Sequence, residues 1–369
     1  MFEFKFRMPT TVIVGRNCLV KNSKKLRGLG HKCLIVTGLQ SSKLNGSLED
    51  SITALENENI KYTIFDEVQE RPTLETIEKA YQENKGNSID FILAVGGGSA
   101  IDAAKAISIL FKNQIQAKEI LSLKNLEGIP IVAVPTTAGP GSETTPYSVV
   151  YLQEEGTSRS TGQRIFPDIA FLDARYTLNK PYDITTCTAV DAFSHLAEGY
   201  LSTKANLLTD TLAEKGLRLF GDCIEPLRKK DCSIEVREKL LMASSIGGMV
   251  ISQTGTSLPH GMGYVLTAEK NVPHGVANGL LFPGYLKNFR NTDKLERLLH
   301  LIKVNSIEDL SDILKEILNF RNISLTDAEI KKYVDDILSS EKKLKNHPER
   351  VSRQDLSNIY KTMLRKEES

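Results

Sequence analysis

The sequence lacks the features that mark several classes of protein. Its charges nearly cancel, with Lys+Arg 47 against Asp+Glu 46 and a formal net charge of +1. No net field therefore holds the chain on a nucleic-acid backbone or an anionic membrane surface. No apolar run approaches the ~18 residues of a transmembrane helix, and the segment Met1–Phe6 lacks the long apolar stretch of a signal peptide. These absences argue against nucleic-acid binding, membrane insertion and secretion.

Cysteine is scarce and unpatterned. The chain has five cysteines, an odd number, and none lies in a C-x-x-C pair typical of a zinc knuckle or a redox motif. They are interpreted as reduced thiols, and we expect a cytoplasmic protein. With 369 residues, of which 40% are hydrophobic, the chain is long enough for about two domains with separate cores.

Up to residue 180, short β-branched runs alternate with longer amphipathic stretches. The predicted strands are Thr11–Val14, Cys33–Val36, Tyr62–Phe65, Phe91–Val95, Ile131–Val134 and Ile169–Leu172. Helical patterns such as Leu74–Asn84 and Ser99–Lys112 separate them, which is typical of parallel strands covered by helices. Residues 1–180 are therefore predicted to form a doubly wound, Rossmann-like α/β domain that binds a dinucleotide.

Beyond Pro181 the pattern changes to a 3.6-residue period without convincing strands. The predicted helical stretches are Thr188–Leu201, Leu207–Phe220, Ile234–Gln253, Lys294–Leu301, Ile307–Phe320, Leu325–Leu338 and Arg353–Leu364. Residues 181–369 are therefore predicted to form an all-α domain.

Two glycine-rich segments follow predicted strands. Gly96-Gly97-Gly98-Ser99 lies between the strand Phe91–Val95 and a helical run, where glycines let a phosphate approach and the helix N-terminus offers free N–H groups. Neither G-x-G-x-x-G nor the Walker pattern is present, and a purely structural turn is the alternative. The segment Pro135–Thr144 concentrates hydroxyls and glycines after the next strand, at the edge where open α/β sheets bind ligands. Two such loops together favour a nucleotide site.

A third signal is a set of one aspartate and three histidines. Asp191 and His195 are four residues apart on a predicted helix and so share one face, although a lone pair of this kind is more often a surface contact. His260 and His274 both lie in x-Pro-His-Gly segments, whose glycine is predicted to leave space beside the ring. This mixed O/N set suits Fe²⁺, Zn²⁺ or Mn²⁺, with a position left for a substrate oxygen. The remaining histidines, His31, His300 and His347, have no comparable context and are predicted to lie at the surface.

Together these motifs resemble the iron-dependent (group III) alcohol dehydrogenase family over nearly the whole chain. The most specific parts are Gly96–Asp102, Pro135–Thr144, Asp191–Gly199 and the two Pro-His-Gly segments. The resemblance implies a nucleotide-binding domain followed by a helical domain, in the architecture of dehydroquinate synthase, and a homodimer. It also implies metal-assisted hydride transfer between NAD(P)(H) and a small primary alcohol or aldehyde, which needs no protein nucleophile.

The resemblance also assigns residues. The implied metal ligands are Asp191, His195, His260 and His274, and the implied cofactor residues are Gly97, Gly98, Ser99, Asp102, Thr136, Thr137 and Ser142. Three positions depart from the family pattern: Pro140 replaces a threonine, Tyr264 replaces a second histidine, and Arg71-Pro72 replaces Asn-Pro. Tyr264 is interpreted as a pocket wall, with a proton carrier as the alternative. Arg71 is interpreted as a solvated side chain, with contact to an anionic substrate or cofactor phosphate as the alternative.

The end of the second strand predicts the coenzyme. NAD-specific nucleotide folds place an acidic residue there to accept from the ribose 2′-hydroxyl, and that charge repels a 2′-phosphate. Here the position is Gly38, and Ser41, Ser42 and Lys43 follow with hydroxyls and a cation. We expect NADP(H) to be preferred over NAD(H), with a plain strand-to-loop turn as the alternative.

Two other functions remain open at this point. One is a sugar-phosphate or lyase-type relative, similar to dehydroquinate synthase or glycerol-1-phosphate dehydrogenase. The other is a nucleotide-binding protein that has lost catalysis. The sequence does not identify the alcohol or aldehyde, or whether it is anionic.

Overall fold

The computed structural model describes residues 3–290, 292–319, 323–339 and 344–363. They form two compact units, one of residues 8–180 and one of the described residues from 181 onward with the described part of the segment before residue 8. Arg7 ties that segment to the second unit, since its backbone N–H donates to Gln253 Oε1 at 3.1 Å and its carbonyl accepts from Gln253 Nε2 at 2.8 Å. No sequence motif predicts this attachment.

The first unit is built on a parallel sheet of six strands. In chain order these are β1 Thr11–Val14, β2 Lys32–Gly38, β3 Lys61–Val68, β4 Phe91–Gly96, β5 Ile131–Pro135 and, after a hairpin of β6 Val149–Leu152 and β7 Thr157–Ser160, β8 Ile169–Leu172. Their order across the sheet is β1-β8-β5-β4-β2-β3. Since β2, β4 and β5 are parallel neighbours, their carboxyl ends meet at one edge.

Helices cover both faces of this sheet. They are α1 Cys18–Lys21, α2 Lys24–Arg27, α3 Ser41–Leu44, α4 Ser47–Asn57, α5 Leu74–Asn84 and α6 Gly98–Asn113. Ile92 and Ala94 of β4 pack into one apolar core, and Phe91, Leu93 and Val95 pack into the other. Burial on both faces explains why the strand sequences are continuous apolar runs rather than alternating ones. The predicted α/β fold class is confirmed.

The second unit is helical. Its helices are α7 Tyr182–Tyr200, α8 Leu207–Arg228, α9 Ile234–Thr254, α10 Leu258–Lys270, α11 His274–Leu286, α12 Asp293–Leu301, α13 Ile307–Leu318, α14 Asp327–Leu338 and α15 Arg353–Thr362. No strand occurs among the described residues of this unit, as predicted. The predicted helix ends at Phe320 and Leu364 lie outside the described residues. None of the helices in the described part of the chain is long and apolar enough to cross a membrane.

The sequence reading missed two helices, α10 and α11. Both begin at a Pro-His-Gly segment, and residues of that kind usually indicate a turn. Pro259 lies in the first turn of α10 and Pro273 directly precedes α11, positions where proline is tolerated because no helical partner is required of its missing N–H. Each motif is therefore a helix start, which places His260 and His274 in first turns.

Candidate metal centre and nucleotide site

Helix α7 carries the first two predicted metal ligands. Asp191 and His195 lie four residues apart on α7, and both are buried. Fourteen residues of α7 are buried, so most of its circumference packs against other helices. The buried Asp191 carboxylate must be compensated by partners, because burying an isolated charge is costly.

Helices α10 and α11 bring the other two histidines to the same carboxylate. His260 Nε2 lies 3.5 Å from Asp191 Oδ1, and His274 Nε2 lies 3.8 Å from the same oxygen. Asp191, His195 and His260 offer ligand atoms that are all within 4.8 Å of one another. The rings of His195 and His260 stack with centroids 4.5 Å apart, and those of His260 and His274 meet edge-on at 5.2 Å. One carboxylate oxygen and imidazole nitrogens in this arrangement are a donor set that fits a divalent transition metal.

Gly275 lets α11 approach α7. A Cβ atom at Gly275 would lie 1.9 Å from the Cys187 carbonyl oxygen and 3.2 Å from Asp191 Cβ. The Pro-His-Gly motif predicts that this glycine leaves space beside the histidine ring. The space is instead occupied by the backbone of α7, so Gly275 sets the distance between the helices that carry Asp191 and His274.

Glu198 is a site residue that the sequence reading missed. It lies on α7, three residues after His195, and is fully buried. Its Oε1 lies 2.5 Å from His260 Nδ1, and its Oε2 accepts from the Ser257 backbone N–H at 2.5 Å. The spacing Asp191-x-x-x-His195-x-x-Glu198, on one face of a helix, was the available signal.

Asn278 is the second missed residue. Its Nδ2 lies 3.2 Å from each of Asp191 Oδ1, His260 Nε2 and His274 Nε2. The side chain is fully buried, and within the described part of the chain its Oδ1 has no hydrogen-bond partner. Asn278 follows His274 by four residues on α11, so both side chains share a helix face. The Asn278 amide thus contacts three of the four predicted metal ligands.

The buried charges at this site shift one another's pKa. Burial disfavours ionised Asp191, but His195, His260 and His274 outweigh it and hold the pKa of the carboxyl well below its usual range. Burial also opposes protonation of His260, yet Glu198 and Asp191 raise its pKa to about 10. Burial lowers the pKa of His274 to about 4. The carboxylates of Asp191 and Glu198 face these rings, and their negative charge favours binding of a cation.

Tyr264 lies beside the histidine cluster. Its ring stacks on that of His274 with centroids 5.1 Å apart and an interplanar angle of 27°, and 41% of the residue is exposed. This stacking fits the interpretation as a pocket wall.

The remaining histidines divide into two groups. His31 and His300 are exposed, as predicted. The prediction of a surface role for His347 is wrong, because only 5% of the residue is exposed and neither ring nitrogen has a hydrogen-bond partner among the residues that the structure describes. Tyr285 and Phe289 cover it, with ring centroids 5.4 and 5.0 Å away. These aromatics come from a distant part of the sequence, so the residues next to His347 do not indicate its burial.

In the first unit, the glycine turn joins β4 to α6. Gly97 is the residue before α6, and Gly98 opens the helix, so the first N–H groups of α6 point out of its end. Cβ atoms would meet the Thr137 side chain at 3.2 Å from Gly97, and Pro140 at 2.8 Å from Gly98. Glycines therefore let the turn and the loop after β5 lie against each other, which explains why Pro140 is accommodated.

The predicted hydroxyls of this loop differ in exposure. Thr137 is partly exposed, whereas Thr136 and Ser142 are buried. The Thr136 N–H donates to the Gly96 carbonyl at 2.9 Å and so links β5 to β4. Ser99 is partly exposed, and its hydroxyl donates to the Glu70 carbonyl.

Asp102 is engaged within the protein. Its carboxylate accepts from the Val149 N–H at 3.0 Å and lies 3.4 Å from Nζ of the fully buried Lys105. Burial raises the pKa of Asp102, with Lys105 opposing the shift. In this structure Asp102 holds α6 to β6, a role that the sequence reading did not assign.

The end of β2 is only partly as predicted. Gly38 is the last residue of β2, and Ser41 is partly exposed at the start of α3. Ser42 is fully buried, and its Oγ accepts from Thr37 at 2.6 Å, so it is not available to a phosphate in this structure. Lys43 pairs with Asp66 at 2.5 Å, which neutralises the predicted cation.

Arg71, which is interpreted from the sequence as a solvated side chain, lies beside an aromatic ring. Its guanidinium carbon lies 5.7 Å from the centroid of the Tyr151 ring, and the residue is half-buried. This cation–π contact gives Arg71 a structural partner on β6.

Residues 9–174 match the profile of a family described as iron-containing alcohol dehydrogenase. Residues 185–364 match that of the Fe-containing alcohol dehydrogenase family, C-terminal. Together the two matches span most of the chain and agree with the resemblance carried by the motifs.

Individual proteins are also similar. A sulfoacetaldehyde reductase from Bilophila wadsworthia is 30% identical over 278 residues, which are 74% of this chain and 71% of that protein. An NADH-dependent butanol dehydrogenase B from Clostridium acetobutylicum is 31% identical over 316 residues, which are 81% of this chain and 78% of that protein. The crystal structure of an iron-containing alcohol dehydrogenase from Thermotoga maritima matches with a TM-score of 0.90 and 37% identity, covering 98% of this chain and 99% of that one.

Proposed function

Because the chain belongs to the iron-containing alcohol dehydrogenase family, we propose that it is a metal-dependent, NADP(H)-preferring oxidoreductase of small primary alcohols and aldehydes. The family establishes an alcohol and aldehyde oxidoreductase with a nicotinamide cofactor. The metal ligands, the coenzyme preference and the substrate are the proposal. We assign nucleotide binding to residues 1–180, and metal and substrate binding to residues 181–369.

The observation that carries the proposal is the convergence of His260 Nε2 and His274 Nε2 on one oxygen of the buried Asp191, with His260 buried and His274 partly exposed. We assign the metal to Asp191, His195, His260 and His274, with Fe²⁺ as the family's ion and Zn²⁺ as a substitute. When bound, the cation supplies Lewis-acid polarisation of the substrate oxygen. The complete donor set argues against a non-catalytic nucleotide-binding protein, and the family match does not favour the lyase or sugar-phosphate alternative.

The residues around the donor set have distinct proposed tasks. Asp191 and His260 are buried, so water only weakly screens an electrostatic contact made at either side chain. Tyr264, stacked on His274, bounds the exposed side of the cluster. No protein side chain in this arrangement needs to act as a nucleophile, because the coenzyme carries the hydride.

For the coenzyme, we assign the diphosphate to Gly97, Gly98 and Ser99 at the start of α6, with Thr137 beside them. The support is the partly exposed start of α6 next to a glycine turn. The preference for NADP(H) rests on Gly38, which offers no carboxylate at the end of β2, and on the partly exposed Ser41. Ser42 and Lys43, already engaged, contribute nothing to it in the arrangement described.

We further propose a cytoplasmic homodimer. All five cysteines are free thiols, in keeping with a reducing compartment, and the dimer follows from the family resemblance. Light scattering of the purified protein tests the dimer directly, since a monomeric mass would contradict it.

The coenzyme proposal is tested with matched substitutions at Gly38. Steady-state kinetics on a panel of C2–C6 aldehydes, neutral and anionic, should give a kcat/KM that is about tenfold or more higher with NADPH than with NADH, since a charged hydrogen bond contributes ~1.5–3 kcal/mol. Gly38→Asp should reverse the order. Gly38→Asn is the control, because it adds the same bulk near the Val68 carbonyl, 3.3 Å from a Cβ at this position, without the charge. A wild-type preference for NADH would overturn the assignment.

A further inference from the structure

Glu198 lies behind His260, on the side of the ring away from Asp191. The His260 ring is held at both nitrogens, with Nδ1 2.5 Å from Glu198 Oε1 and Nε2 3.5 Å from Asp191 Oδ1. Asn278 Nδ2 approaches the same Nε2 at 3.2 Å. Nε2 of the ring therefore faces the predicted metal ligands, and Nδ1 contacts the Glu198 carboxylate.

The second oxygen of Glu198 also accepts a hydrogen bond. Oε2 accepts from the Ser257 backbone N–H at 2.5 Å, and this residue directly precedes α10, the helix whose first turn carries His260. The carboxylate thus fixes both the start of the helix and the ring that the helix carries. Glu198 is fully buried, so water cannot replace either contact.

We propose that Glu198 is a positioning residue for the metal centre, which fixes His260 with its proton on Nδ1 and its Nε2 lone pair towards the ion. This inference rests on the metal site proposed above. Histidine ligands in metal sites commonly donate their second N–H to such a carboxylate, which sets the tautomer and increases the basicity of the ligand.

The acceptor count explains why glutamate is needed here. Two N–H donors, from Ser257 and His260, face one side chain, and a carboxylate offers two acceptor oxygens. Glutamine has the same shape but one oxygen and one NH₂ group. If the NH₂ faces His260, Nδ1 must accept, and the proton moves to Nε2, the atom that has to bind the metal. If it faces Ser257, two buried donors oppose each other without an acceptor.

The test is the affinity of the purified protein for Zn²⁺, measured by competition with a chromophoric chelator. Glu198→Gln should weaken zinc binding by about 10–100-fold. The matched control is Glu214→Gln on α8, since Glu214 also accepts from two donors, Tyr200 and Arg297, but touches no proposed ligand. The control should bind zinc like the wild type. A folded Glu198→Gln protein with wild-type zinc affinity would overturn the inference.

A second measurement uses the wild-type protein and therefore does not require the Glu198→Gln variant to fold. In wild-type protein labelled with ¹⁵N-histidine and loaded with zinc, His260 should show a protonated Nδ1 with a far-downfield proton, and a metal-bound Nε2. A proton on Nε2 of His260 would contradict the role of Glu198. Failure of the wild type to bind zinc at all would overturn the metal-site proposal together with the inference, whereas equal binding by wild type and Glu198→Gln would overturn the inference alone.

Discussion

Substitution of Gly275 by alanine tests how closely α11 must approach α7. A Cβ at this position would lie 1.9 Å from the Cys187 carbonyl oxygen, whereas non-bonded heavy atoms need roughly 3.5 Å. The start of α11 must therefore move by more than about 1 Å, and His274, the preceding residue, moves with it. Overpacking of this kind costs about 1–3 kcal/mol. Alanine otherwise stabilises a helix by about 1 kcal/mol relative to glycine. A loss of stability in Gly275→Ala would therefore indicate overpacking, whereas a gain would indicate that only the helix propensity has changed.

The assay combines thermal unfolding with zinc competition. Gly275→Ala should be less stable than the wild type and should lose at least about tenfold in zinc affinity, since metal sites tolerate only about 0.2 Å in ligand distance. Gly86→Ala is the control, because a Cβ there meets no atom of the described residues within 4 Å. A Gly275→Ala protein that is as stable as the wild type and binds zinc equally would refute the reasoning.

Two further predictions concern side chains outside the ligand set. Tyr264→Phe should lower kcat by less than the ~100-fold expected for loss of a positioned general acid, and a larger loss with unchanged metal content would show that the tyrosine carries a proton. Burial lowers the pKa of His347 to about 4, with Glu349 opposing, so the neutral ring is favoured in the folded state. Its contribution to stability is complete above the unfolded-state value of 6.5 and is lost as the pH falls through about 4, which at 1.36 kcal/mol per unit amounts to about 3 kcal/mol. Chemical denaturation at pH 7 and pH 4 should show that the wild type loses more stability than His347→Phe, by about this amount, because His274 titrates in both proteins. An equal loss in both would contradict it.

The sheet could be read from the sequence with small errors. All six predicted strands of the parallel sheet are present, and β1 and β8 have the predicted bounds. This success has a physical reason, since strands buried on both faces are continuous apolar runs. The helices α10 and α11 could not be read in the same way, because proline, glycine and histidine at their starts hide the helical period.

The candidate site was also only partly visible in the sequence. The residues that could bind a metal are chemically distinctive and were found by residue type. Glu198 and Asn278 were not, because their importance comes from contacts with His260 that only the packing of α7, α10 and α11 creates. His347 was predicted at the surface for the same reason, since the aromatic residues that bury it lie about 60 positions away in the sequence.

The most direct test of the account is the metal content and turnover of histidine variants purified in parallel. His260→Ala and His274→Ala should lose bound metal and catalytic turnover together, whereas His31→Ala and His300→Ala, at exposed positions, should keep both close to the wild-type values. Elemental analysis and NADPH-dependent aldehyde reduction on the same samples give the comparison. Full activity in rigorously metal-free wild-type protein would contradict the account.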